Sequence, residues 1–276
     1  MMNPQQLGRM AYKNRTGLVV GGLVGVFSGG LFGLVFGAFI GYSIQQMLIG
    51  VKIGATNPQK AFFEATFAVM GKVAKADGRV SESEINYARD VMARMNLSEE
   101  QRLEAMALFN RGKEADFDIT TMVQPLARLI KHRSNLKQMF VEIQLQAAFA
   151  DGQVSQVELG PIQQVCSLLQ ISYRDLELIL RRCQAEHAFA ENAYRAHQEG
   201  DSQNPQLLEQ AYGVLGVDSD VSDAELKKAY RRLMSQHHPD KLMARGLPQE
   251  MQQLAKEKTQ EIQAAYERVK QARKDA

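Results

Sequence analysis

The sequence predicts an all-α protein: an N-terminal glycine-rich transmembrane helix, a central helical bundle and a C-terminal helical hairpin. Three observations carry that expectation. An uncharged, apolar stretch runs from Thr16 to Val51. Behind it, apolar residues recur at helical spacing between capping signals, and no convincing strand pattern interrupts them. Near the end of the chain, the tripeptide His238-Pro239-Asp240 separates two amphipathic segments. The 276 residues suffice for more than one domain and divide into a tail (1–16), a span (17–42), a bundle (58–184), a linker (185–205) and the hairpin region (206–276).

The apolar stretch exceeds the roughly 20 residues that cross a bilayer. Within it Gly17, Gly21, Gly25, Gly29, Gly33, Gly37 and Gly41 fall at an unbroken four-residue interval. Residues four apart share a helix face, so these glycines line a groove flanked by Leu, Val, Phe and Ile. Such a groove lets two helix backbones approach closely in lipid, which predicts self-association through this segment. A cleavable signal peptide fits poorly, because the stretch is too long and lacks a clear cleavage site. Arg9, Lys13 and Arg15 precede the span, while Lys52 and Lys60 follow it, so the positive-inside rule does not fix orientation. A single span over Gly17–Tyr42 is expected. A hairpin turning near Ser28-Gly29-Gly30 would leave each arm short for a full crossing.

The central part contains an internal repeat. Ala76-Asp77-Gly78-Arg79-Val80-Ser81-Glu82-Ser83-Glu84 returns as Ala150-Asp151-Gly152-Gln153-Val154-Ser155-Gln156-Val157-Glu158. In each copy the serine and the glutamate three residues on form a capping box, and the glycine supplies the backbone freedom to end one helix before the next. Ser98 with Gln101 gives a further box. The segments Ser98–Arg111 and Asp118–His132 are helical in pattern. The repeat also looks like the second half of a calcium-binding loop. Its upstream ligand positions, however, are Val73 and Lys75 in one copy and Ala147 and Phe149 in the other. None of these donates a carboxylate, so a capped turn is expected and no metal.

In the C-terminal part, Leu226, Ala229, Tyr230 and Leu233 form the inward stripe of a helix over Asp223–Gln236, and Ser222 with Glu225 caps its start. Lys227, Lys228, Arg231 and Arg232 occupy the opposite face. Pro239 removes a backbone donor and disfavours helix at the preceding residue, so the helix must stop near His237 or His238. The tripeptide is then expected in a short rigid loop, free for a partner. A second helix, about Gln249–Val269, carries Ile262, Ala265, Tyr266 and Val269 inward.

These residues carry a resemblance. Ala211-Tyr212-Gly213-Val214-Leu215-Gly216-Val217, the basic helix, His238-Pro239-Asp240 and Gln260-Glu261-Ile262-Gln263-Ala264-Ala265-Tyr266-Glu267 resemble, in order, the signatures of a J domain. The central repeat is similar to the helical TerB domain. The order of span, TerB-like bundle and J domain resembles the DjlA family of membrane-anchored bacterial co-chaperones. So does the extended loop Leu242-Met243-Ala244-Arg245-Gly246-Leu247-Pro248. The longer, more basic N-terminal tail departs from the enteric pattern. The resemblance implies that His238, Pro239 and Asp240, with Lys227, Lys228, Arg231 and Arg232, engage a DnaK-type chaperone and stimulate its ATPase. It implies core roles for Tyr212, Leu215, Leu226, Tyr230, Leu233 and Tyr266. The only metal candidates it offers are Asp77, Glu84, Asp151 and Glu158, meeting across a pseudo-symmetric interface. A DnaK partner needs ATP, which places the bulk of the chain on the cytoplasmic side of a bacterial inner membrane. In enteric relatives this architecture implies envelope-linked regulation such as capsule induction. The alternative is a metal- or stress-sensing membrane regulator acting through the TerB-like domain.

Composition removes other classes. A net charge of +2 without a basic stripe interleaved with aromatics argues against nucleic acid. Cys166 and Cys183 are too few for a disulfide framework or a zinc module and suit a reducing compartment. No catalytic triad, nucleotide loop or metal-ligand cluster is evident, so no enzyme activity and no cofactor are expected.

Overall fold

Polar caps set most helix starts, and two central helices that are apolar around nearly their whole circumference set the packing. The computed structural model describes residues 57–78, 80, 82–152, 154–199 and 205–275. Among these, all regular structure is helical. The first part comprises α1 (Pro58–Ala74), α2 (Glu82–Arg94), α3 (Glu99–Gly112), α4 (Ile119–Leu129), α5 (Ser134–Ala148), α6 (Gln156–Leu169) and α7 (Tyr173–Glu199). The second comprises α8 (Pro205–Leu215), α9 (Asp223–His237), α10 (Pro239–Ala244) and α11 (Gln252–Asp275). Short 3-10 turns cover Phe149–Asp151 and Gln249–Met251.

Asn57 caps α1 by accepting from the Gln59 and Lys60 amides, and Pro58 takes the first helical position, where a missing N–H costs nothing. Helix α1 buries residues on every face, Phe62 and Phe67 completely. It packs against α3, α4 and α5. Phe62 meets Phe140 of α5 edge to face at 5.3 Å. The Ser98/Gln101, Ser155/Glu158 and Ser222/Glu225 capping boxes all form. Both repeat corners turn through a left-handed glycine, Gly78 at φ 90° and Gly152 at φ 98°. Ser81, the serine of the first repeat's box, lies outside the described residues.

Three differences from expectation stand out. Residues expected as the beginning of a linker continue α7 as helix to Glu199. The reason is a stripe at four-residue spacing: Phe189 is buried in the core of the second part, with Ala185 and Ala193 packed against it. The polar residues between them gave the segment its linker-like composition. Secondly, Pro239 does not sit in an irregular loop but starts α10, because its fixed φ suits a first helical position. Finally, α11 continues past Val269 to Asp275. The expected span over 17–42 and its glycine groove lie outside the described residues. Among the described residues, no helix is long and apolar enough to cross a membrane.

Candidate functional site: the His-Pro-Asp joint

Helix α9 buries Leu226, Ala229, Leu233 and His237 along one face and exposes Lys227, Lys228, Arg231 and Arg232. Its inner face packs on α11, where Tyr230 and Tyr266 stack at 4.1 Å with an interplanar angle of 13°. The far end is tied down by Arg273 of α11. That guanidinium donates to Asp223 Oδ1 (2.6 Å), Val221 O (2.7 Å) and Tyr212 Oη (2.9 Å). The hairpin therefore has a fixed base, and its four cations face solvent.

At the other end, His238 leaves the helical region (φ −58°, ψ 124°), as a residue before proline should. Its Nδ1 accepts from the Asp240 amide at 3.2 Å and so caps α10. His238 and Asp240 are both exposed, and Pro239 between them is half-buried. The joint is thus a rigid corner that presents two polar side chains.

His237, just before the tripeptide, and Leu242, two residues after it, are buried. His237 is 2 % exposed, and its Nε2 lies 2.8 Å from Glu142 Oε2 of α5 while its Nδ1 lies 3.0 Å from Leu233 O. Glu142 also accepts from Arg182 of α7 and from Gln138 Nε2 at 2.9 Å. Beside this pair, Lys258 of α11 donates to Glu186 of α7. Burial, then the cations Arg182 and Lys258, push the His237 pKa down to about 3. The ring is therefore neutral near pH 7; both its nitrogens face acceptors, Glu142 Oε2 and Leu233 O, and its single proton serves one of them. With the ring neutral, the Glu142 and Glu186 carboxylates pair with Arg182 and Lys258, the arrangement that keeps buried charges tolerable. Lys258 stays above its ordinary value: burial opposes its charge, but Glu186 and the acidic groups around it outweigh that effect.

The extended loop after the tripeptide belongs to the same contact. Leu242, Leu247 and Met251 are each fully buried, and they cluster with the core of the first part, apart from the hairpin's own core. Arg245 Nη1 donates to Asn135 Oδ1 at 2.7 Å, and Arg133 donates to Arg245 O. Gln101 Nε2 meets Glu250 Oε1 at 2.6 Å, and Arg94 pairs with Glu257 at 3.0 Å. Gly246 (φ 103°) brings the loop so close that an added Cβ would lie 2.9 Å from Arg133 Nη1 and 3.1 Å from Pro58 Cβ.

The structure brings His238, Pro239 and Asp240 to the end of the basic face, as the sequence suggests. Of the acidic repeat residues, Asp77 and Asp151 lie in the two corners, and Glu84 and Glu158 in the first turns of α2 and α6. The carboxylate of Glu158 accepts from the Ser155 amide at 2.7 Å, as a cap does, and Glu84 is buried. Among the described residues, no group of three or more His, Cys, Asp or Glu could hold a metal ion. Sequence reasoning missed Glu142, Arg182, Glu186, His237 and Lys258. A signal existed for two of them. Lys258 falls on the apolar stripe Ala255, Ile262, Ala265 and Val269, and Glu142 interrupts an otherwise apolar run from Met139 to Leu145 only at Gln144 and itself.

The sequence profile of the family described as Tellurite resistance protein TerB matches residues 63–181, and that of the DnaJ domain matches residues 210–276. The basic helix and its exposed corner are those of a DnaJ domain, so the molecule is a J-domain protein with a TerB domain ahead of it. Over 271 residues the chain is 41 % identical to Co-chaperone protein DjlA of Coxiella burnetii, covering 94 % of this chain and 98 % of that protein. It is 44 % identical over 219 residues to the Shewanella oneidensis protein of the same name, covering 79 % of this chain and 80 % of that one. For Photorhabdus laumondii the figures are 39 % over 265 residues, 92 % and 96 %. The chain belongs to the DjlA family of co-chaperones. No solved structure matches it.

Proposed function

We propose that this protein stimulates ATP hydrolysis by a DnaK-type chaperone. The carrying observation is the exposure of His238 and Asp240 at the end of a helix whose Lys227, Lys228, Arg231 and Arg232 all face solvent. The cations steer the hairpin onto an acidic surface of the chaperone. His238 and Asp240, held by Pro239, then contact the hydrolysis-competent state better than the other, which is the differential interaction a population shift requires. The uncharged stretch from Thr16 to Val51 anchors the chain in a bacterial inner membrane as a single span. The glycines from Gly17 to Gly41 pair two copies there, and the bulk of the chain lies on the cytoplasmic side, where ATP is. Its output is envelope-linked regulation such as capsule induction.

The test uses the full chain in detergent or nanodiscs with a bacterial DnaK, against a His238→Gln control. Stimulation of ATP turnover that disappears in the control is expected. Equal rates with wild type, variant and no co-chaperone would reject the reading.

A further inference from the structure

We infer that the TerB domain positions the His-Pro-Asp joint: it grips His237 and Leu242, on either side of the tripeptide, and so fixes the direction in which His238 and Asp240 are presented. This inference rests on the co-chaperone function proposed above.

The joint's surroundings carry it. A loop at the tip of a two-helix hairpin has no neighbour that limits its motion, and ordering it on a partner costs conformational entropy. Here the residue just before the tripeptide and the second one after it are buried, at 2 % and 0 % exposure, while His238 and Asp240 remain exposed. Both anchors are tied to the TerB domain, His237 by its contact with Glu142 and Leu242 through the hydrophobic cluster it shares with the TerB core. His237 is held by Glu142, which is itself oriented by Arg182 and Gln138. Leu242 enters the TerB core together with Leu247 and Met251. Beyond them, Arg133 and Asn135 bind Arg245 from the TerB side. The extended loop after the tripeptide thereby has a purpose: it is the length of chain that reaches the TerB surface and returns to α11. The grip leaves the basic face of α9 uncovered, so docking to the TerB domain and docking to a chaperone use different surfaces of the hairpin.

Glu142 is a positioning residue, since it acts on the joint only through His237. Its loss should therefore change how productively a bound chaperone is engaged and leave encounter through the cations unchanged. The test measures chaperone ATP turnover against co-chaperone concentration for the full-length wild type, Glu142→Gln, Arg133→Ala and His238→Gln, each with its far-UV circular dichroism and melting curve. Arg133→Ala loosens the same grip from the surface and serves if Glu142→Gln does not fold. The expected result is a maximal stimulation lowered roughly tenfold by Glu142→Gln, and less by Arg133→Ala. The half-saturating concentration should stay within about twofold of wild type, because the basic face that governs encounter is intact. A wild-type maximum in folded Arg133→Ala and Glu142→Gln would overturn the inference. So would a raised maximum, which would make the grip a restraint. If wild type and His238→Gln are equally inert, the proposed function itself fails and takes the inference with it, an outcome the control separates from the others.

Discussion

Removing one member of the Glu142–Arg182 pair should cost far more than removing both. Glu142 is 2 % exposed at its side chain, accepts from Arg182 and Gln138, and faces His237 Nε2. In Glu142→Met the Arg182 guanidinium stays buried at 11 % exposure, with Glu186 as a second acid at 3.5 Å. Breaking a buried pair this way costs about 3–5 kcal/mol. Arg182→Met strands the carboxylate and should cost a similar amount. In the double variant both charges are gone, and two methionines fill the space with flexible apolar side chains. What remains is the buried His237 Nε2 without its carboxylate partner, at most about 1–3 kcal/mol. The ring can reduce that cost by carrying its proton on Nδ1, which faces Leu233 O. The double variant should therefore lose about 2 kcal/mol, against a sum of about 6–10 for the singles. Urea unfolding of the full chain, followed by circular dichroism because the sequence has no tryptophan, measures all three. Additive losses would refute the reasoning and mean that the two side chains are not coupled.

Other expectations follow from the same geometry. Because His237 has its folded pKa lowered to about 3 from an ordinary 6.5, the unfolded chain binds the extra proton between those values, and stability falls as pH drops through that window. Facing the ring are Glu142 from α5, Arg182 and Glu186 from α7 and Lys258 from α11. Acidifying to about pH 5 should cost about 2 kcal/mol, read as a lower urea midpoint than at about pH 7.5; the difference should shrink in His237→Gln. Gly112→Ala would place a Cβ 1.9 Å from Ala68 O, a backbone atom of α1 that cannot step aside. A loss of about 3 kcal/mol, or failure to fold, is expected by thermal melting. Burial pushes the thiols of Cys166 and Cys183 up to about 12, so a thiol reagent such as Ellman's should label them only on the timescale of unfolding.

The readable parts of this protein were those with short-range signatures. Ser98 with Gln101, Ser155 with Glu158 and Ser222 with Glu225 lie three residues apart, and each pair closes the helix start it marks. The proline of the tripeptide stopped α9 where its covalent geometry requires. The grip on the tripeptide was not readable in the same way. Glu142 meets Arg182 across 40 positions, Glu186 meets Lys258 across 72, and Glu142 meets His237 across 95. Periodicity says which face of a helix is covered but not what covers it. A charge on a covered face announces only that some partner exists. The segment after Gln184 departs from the expected linker for a related reason. Its polar residues outnumber the apolar stripe through Ala185, Phe189 and Ala193, so composition suggested a linker where spacing indicated a helix.

The most direct measurement is hydrogen–deuterium exchange of the full-length protein alone and with an ATP-loaded DnaK-type chaperone, followed peptide by peptide. The expected result is new protection over 223–241, with 242–251 and the peptides around Glu142 and Arg182 exchanging as slowly as in the free protein. Accelerated exchange over 242–251 on binding would contradict the account, since the joint would then be released from the TerB domain in order to act.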